Sequence, residues 1–69
     1  MREKTKYTLR EWRSLRMMSR RKLAEITGLS ERTIINYESD INLLRSASFD
    51  NIESIAKALD IVIDDIFLG

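Results

Sequence analysis

Three consecutive cations, Arg20-Arg21-Lys22, follow Ser19 at the expected start of a helix. The aligned peptide dipoles make a helix N-terminus positive, so each cation there is disfavoured by about 0.3–1 kcal/mol. A sequence selected for stability alone would place acids in that turn. Cations fit if phosphates come to them, because the unpaired N–H groups of the same turn also bind anions. The other reading is that the long side chains bend into solvent and lose little. Catalytic chemistry has little to work with, since the 69 residues include no histidine and no cysteine. That removes the commonest general base, the commonest nitrogen ligand, thiolate metal sites and disulfides. The adjacent acids Asp64-Asp65 do not face each other on a helix, and acids in a first turn are explained by the dipole. No catalytic residue, metal site or cofactor is expected, and the chain is not read as an enzyme.

The length allows one domain with a modest core, a size at which self-association often adds stability. The net charge of +1 hides a division. Residues 1–36 hold ten Lys or Arg against four acids, and residues 37–69 hold two against seven. One half is suited to a polyanion and the other is kept away from it. No apolar run is long enough to span a bilayer and no signal-type stretch follows the N-terminus. The expectation is a cytoplasmic protein with no membrane partner.

The elements that must position the cations are read from caps and spacing. Residues 1–7 are charged and aperiodic and form a basic arm, and residues 8–69 form the domain. A first helix is expected from Leu9 to Met17, with Thr8 and Glu11 as a capping box and Leu9, Trp12 and Leu15 as its apolar stripe. A second starts after Ser19, buries Leu23, Ala24 and Ile26, and ends at Gly28. A third runs from Glu31 to about Glu38 after Ser30, with Ile34 and Tyr37 inward. Residues 39–47 read as a long loop. Ser48 then caps a helix with Phe49, Ile52, Ile55, Ala56 and Leu59 at helical spacing, and a short last helix covers Ile63 to Leu68. The fold class is all-α, with five helices.

The stretch Leu23 to Glu38 is two short helices joined by a tight turn containing Gly28. Ala24 is small enough for a close crossing, Leu29 plugs the turn and Ile34 locks the following helix. This segment resembles the helix-turn-helix of the phage Cro and CI repressors, the XRE family. The resemblance extends over Arg13 to Ser19 and over Phe49 to Phe67, including Ile55-Ala56-Lys57-Ala58-Leu59-Asp60-Ile61. Arg20 stands where the family usually has Gln, and Ser39-Asp40 where it has Asn-Gly. The following loop is a few residues longer and lacks a proline.

The resemblance implies a compact λ-repressor-like domain whose third helix lies in the major groove of double-stranded DNA. Arg32 can then donate two hydrogen bonds to guanine and Asn36 can pair bidentately with adenine. Glu31 either accepts from cytosine or orients Arg32. Ile35 either meets a thymine methyl or is a lone exposed aliphatic. Expected phosphate contacts are Ser19, Arg20, Arg21, Ser30, Thr33 and Arg45. The resemblance also implies a bridge from Arg13 to Glu38 that ties the reading helix to the scaffold. A homodimeric repressor on a pseudo-palindromic operator follows, because one helix reads few base pairs. Leu43, Leu44, Val62, Ile63, Phe67 and Leu68 are apolar beyond what the core needs and are the expected dimer surface. For Leu43, Leu44 and Phe67 the other reading is packing onto their own core. With the chain ending at Gly69, control is expected from concentration, competition for operators, an antirepressor or another protein partner. The alternative function is a protein-interaction module or antitoxin-type partner on the same scaffold.

Overall fold

The computed structural model describes residues 6–69, so the first five residues of the expected arm lie outside the described residues. Five α-helices are present: α1 Leu9–Leu15, α2 Arg20–Thr27, α3 Glu31–Ser39, α4 Ile41–Arg45 and α5 Phe49–Ala58, followed by a 3-10 turn Ile63–Asp65. Each α-helix opens on a side chain that accepts a backbone N–H: Thr8, Ser19, Ser30, Asp40 and Ser48. Thr8 and Glu11 close the expected box, with Thr8 Oγ1 accepting from the Glu11 amide at 3.1 Å and Glu11 Oε1 from the Thr8 amide at 2.9 Å. Such caps contribute about 1 kcal/mol each, a substantial share for helices this short.

The core is built from Leu9 of α1, Leu23 and Ala24 of α2, Ile34 of α3, Leu44 of α4, Ile52, Ile55 and Ala56 of α5, and then Leu59 and Ile66. Helix α2 packs on both α3 and α5, and α3 also packs on α4 and α1. Leu23, Ile34, Ile55 and Leu59 are wholly buried; burying a side chain of this size is worth about 1.5–3 kcal/mol. Three residues read as inward are not. Leu15, Ile26 and Phe49 are exposed to 56%, 50% and 65%. Leu15 and Phe49 lie at the ends of their helices. Ile26 lies beside the inner face of α2, which Leu23 and Ala24 already fill.

Helix α1 stops two residues short of the expectation. Met17 takes the left-handed conformation, φ 55°, and the Met17 and Met18 amides fold back to the carbonyls of Ser14 and Arg13. Asp60, φ 58°, ends α5 in the same way, with the Asp60 and Ile61 amides on Lys57 and Ala56. This Schellman geometry normally uses glycine, and a side chain there costs about 1–2 kcal/mol. Arg16 joins the two helix ends: its Nε donates to the Leu59 carbonyl at 2.7 Å, and its guanidinium lies 5.4 Å from the Trp12 ring centre.

Two elements differ from the expectation. The stretch expected as a loop contains α4, because Asp40 caps it and Ile41 and Leu44, three apart, turn inward. The expected last helix is only the 3-10 turn. Val62 offers no side-chain cap, and the chain becomes extended at Ile66 to pair with Tyr7. There the Tyr7 amide donates to the Asp65 carbonyl at 3.3 Å, and the Phe67 amide to the Tyr7 carbonyl at 2.8 Å. Trp12 Nε1 donates to that same Asp65 carbonyl at 2.8 Å, and the Tyr7 and Trp12 rings meet edge-on at 5.1 Å. Tyr7, expected at the end of the arm, is part of the folded domain.

Candidate nucleic-acid interface

The turn between α2 and α3 is set by Gly28 at φ 79°. A Cβ there would meet nothing within 4 Å, so glycine serves the backbone conformation and not a close approach. Leu29 packs against the core beneath the turn. Ser30 then opens α3, accepting from the Thr33 amide at 3.0 Å, while the two hydroxyls share a 2.8 Å hydrogen bond. One hydroxyl proton of that pair remains to be donated outward. Ser19, at the start of α2, accepts from the Lys22 amide at 3.0 Å and keeps its own proton. Arg20 and Arg21 lie in the first turn, where amides have no intrahelical partner.

Helix α3 is fixed by one face. Ile34 is wholly buried, and Tyr37 Oη accepts from Asn51 Nδ2 of α5 at 3.1 Å. At its C-terminal end the Arg13 guanidinium reaches Glu38 with Nε on Oε2 at 2.6 Å and Nη2 on Oε1 at 3.2 Å. Arg13 Nη1 also donates to the Met18 carbonyl at 2.9 Å, so one side chain ties α1, the following turn and α3. Arg13 and Glu38 side chains are only 13% and 4% exposed. A further partner was missed by sequence reasoning: Arg20 Nε donates to Glu38 Oε1 at 3.0 Å. Its substitution for the family's usual Gln was the available signal, since a guanidinium brings a positive charge to the carboxylate and, with Nε–H spent on it, still has its terminal N–H groups to present outward. Burial would raise the Glu38 carboxyl, but the hydrogen bonds and charges of Arg13 and Arg20 outweigh it and hold it below its ordinary value.

The opposite face of α3 is open. Glu31 and Arg32 are exposed, and Ile35 and Asn36 are half-buried. No side-chain hydrogen bond or ion pair engages Glu31, Arg32 or Asn36 among the described residues. Arg21 makes an exposed pair with Glu25 at 3.8 Å, a contact worth little in water. Arg45 is exposed in the last turn of α4.

The six expected dimer residues are not all at the surface. Leu44 is 1% exposed and belongs to the core, because it is the inward residue of α4; it has no surface to offer a partner. Val62 and Ile63 line a groove with Glu53, Ala56, Lys57, Ile61 and Asp64. Phe67 borders a separate one beside Thr8, Tyr37 and Ile41. Leu43, Val62 and Phe67 remain exposed, and Ile63 and Leu68 pack partly on the core.

Two capped helices at a glycine turn, the second anchored inward and open outward, define a helix-turn-helix DNA-binding domain. Residues 9–66 match the helix-turn-helix family HTH_3, a span that runs from α1 through the 3-10 turn. The chain belongs to this family of Cro/CI-type DNA-binding regulators, which are typically not enzymes. No curated protein and no solved structure shows a significant match. Among the described residues no helix is long and apolar enough to cross a membrane.

Proposed function

We propose that the protein is a sequence-specific cytoplasmic repressor that binds a pseudo-palindromic operator as a homodimer, with α3 of each copy in the major groove. The observation that carries the reading is the asymmetry of α3: Ile34, Tyr37 and Glu38 are held by the scaffold, while Glu31, Arg32 and Asn36 have no side-chain partner among the described residues. A polar row without internal partners on a rigid helix is what base-edge recognition needs. Arg32 serves guanine, Asn36 adenine, Glu31 a cytosine amino group and Ile35 a thymine methyl. The hydroxyls of Ser19, Ser30 and Thr33 and the cations Arg20, Arg21 and Arg45 serve phosphates, which set register without reading sequence. Repression by occupancy requires only affinity for the site.

Pairing doubles the reading surface when two α3 helices sit one helical turn apart, about 34 Å. Leu44 takes no part in it, and Val62 and Phe67, exposed to 57% and 43%, are the apolar residues best placed to carry it. Sedimentation with and without a selected palindromic duplex tests this. Two wild-type protomers per duplex are expected, with Val62→Asp or Phe67→Asp weakening the full site much more than an isolated half-site. One protomer per duplex, with equal affinity for full and half sites in wild type and variants, would remove the dimer. Failure to bind any duplex at low salt would favour a protein-interaction role instead.

A further inference from the structure

Arg10 is an exposed cation of α1 for which no role has yet been given, and it makes no hydrogen bond or ion pair among the described residues. It lines a small cleft of about 100 Å³ together with Arg20, Ile35, Glu38 and Ser39. The chemistry of that cleft is lopsided. Its one carboxylate, Glu38, already accepts two hydrogen bonds from Arg13 and one from Arg20 Nε. The Ser39 hydroxyl donates to the Ile35 carbonyl at 2.9 Å, so its proton is spent within the helix. Ile35 offers only an apolar wall. Two guanidinium groups therefore already hold the one carboxylate, and among the described residues the Arg20 terminal nitrogens and the Arg10 guanidinium have no acceptor.

A cation cluster with unspent donors in a cleft against α3 calls for an oxyanion from outside. The size is wrong for a large ligand and right for one tetrahedral group entering from the surface. We propose that Arg10 and Arg20 form a clamp for a single phosphodiester of the DNA backbone. The clamp rests on the reading of α3 as the groove-bound helix, and it adds a contact from α1 to those from the helix-turn-helix itself. Glu38 holds Arg20 by Nε, so the outer edge of the guanidinium is presented to the phosphate without a search over rotamers. A lysine at position 20 could not serve both partners from one planar group.

The test uses the full chain and a selected duplex in which single phosphates are replaced one at a time by neutral methylphosphonates. With wild type, one replacement per half-site should lower affinity about tenfold through loss of a charge-assisted contact. Arg10→Ala should lower affinity by a similar factor and become insensitive to that same replacement while keeping its sensitivity elsewhere. Arg10 is exposed and unpartnered, so its removal leaves the fold intact, which circular dichroism checks. If Arg10→Ala and wild type respond alike at every phosphate, the clamp is wrong although DNA binding stands. If wild type binds no duplex, the functional reading fails and takes the clamp with it. A parallel titration with inorganic phosphate follows the arginine Nε–H resonances. Saturable millimolar binding at Arg10 and Arg20, combined with no methylphosphonate effect, would assign the cleft to a free anion and overturn the DNA assignment.

Discussion

Removing Arg13 should cost the domain more than removing Arg20, although both contact Glu38. The Arg13 side chain is 13% exposed and makes three hydrogen bonds, two to the carboxylate and one to the Met18 carbonyl. The Arg20 side chain is 42% exposed and makes one. Breaking a buried pair from one side costs about 3–5 kcal/mol, because a charge is left without its partner. Arg20 still holds Glu38 when Arg13 is gone, so about 3 kcal/mol is expected for Arg13→Gln. A chain of 69 residues has a total stability of only about 3–10 kcal/mol, so that loss is severe. The Arg20 contact faces water and should contribute less than about 1 kcal/mol. Urea unfolding followed by Trp12, the single tryptophan, reads both. At a slope of about 1 kcal/mol per molar for a small domain, the Arg13 variant should lose about 3 M in its midpoint. An added osmolyte restores a folded baseline if one is lacking. Double-mutant cycles with Glu38→Gln should give a coupling of about 2 kcal/mol for Arg13 and less than 1 for Arg20. Equal couplings, or additivity for Arg13 and Glu38, would refute the assignment of Arg13 as the structural tie.

Because Glu38 is held below its ordinary 4.5, its contribution to stability is present above that value and lost as pH falls through the folded one. Urea midpoints across the acid range should therefore fall less steeply for Glu38→Gln than for wild type. Met17 is 93% exposed at a positive φ, so Met17→Gly should raise stability by up to about 1 kcal/mol, the relief of strain exceeding the added chain entropy; a lowered midpoint would contradict the Schellman ending. Leu44→Ala should cost about 2–5 kcal/mol and Leu43→Ala under about 0.5 in dilute protein, and the reverse order would misplace α4. DNA affinity should fall with salt at a slope of about −0.9 per phosphate neutralised, and an affinity flat across salt would remove the phosphate role of the basic half.

The caps were the most legible feature of the sequence. Thr8, Ser19, Ser30 and Ser48 each mark a helix start by a side-chain acceptor whose partner lies three residues away, so no distant contact is needed to read them. Helix α3 was legible for the same reason, because Gly28 and Ile34 act locally. Helix α4 was not. Its five residues are too few to display a period, and its one buried leucine is chosen by a pocket formed from other helices. The last turn was misread because a distant residue, Tyr7, competes for the backbone near Ile66. Arg20 was read as free for phosphate because its partner lies 18 residues away on another helix, a distance no local pattern spans. Its dual role, one edge on Glu38 and the other outward, became visible only when the helices were packed.

The central claim is that α3 reads bases through its open face, and one measurement tests it most directly. Wild type, Arg32→Ala and Arg20→Ala are each used to select binding sites from randomised duplex DNA, and the selected sites are ranked by affinity. Wild type should enrich a defined sequence. Arg32→Ala should lose about 1–3 kcal/mol on that sequence and lose discrimination at one base pair per half-site. Arg20→Ala should weaken binding to all sequences alike and leave the enriched sequence unchanged. Enrichment of the same sequence with undiminished discrimination by Arg32→Ala, or a changed base preference in Arg20→Ala alone, would contradict the assignment of α3 as the reading helix.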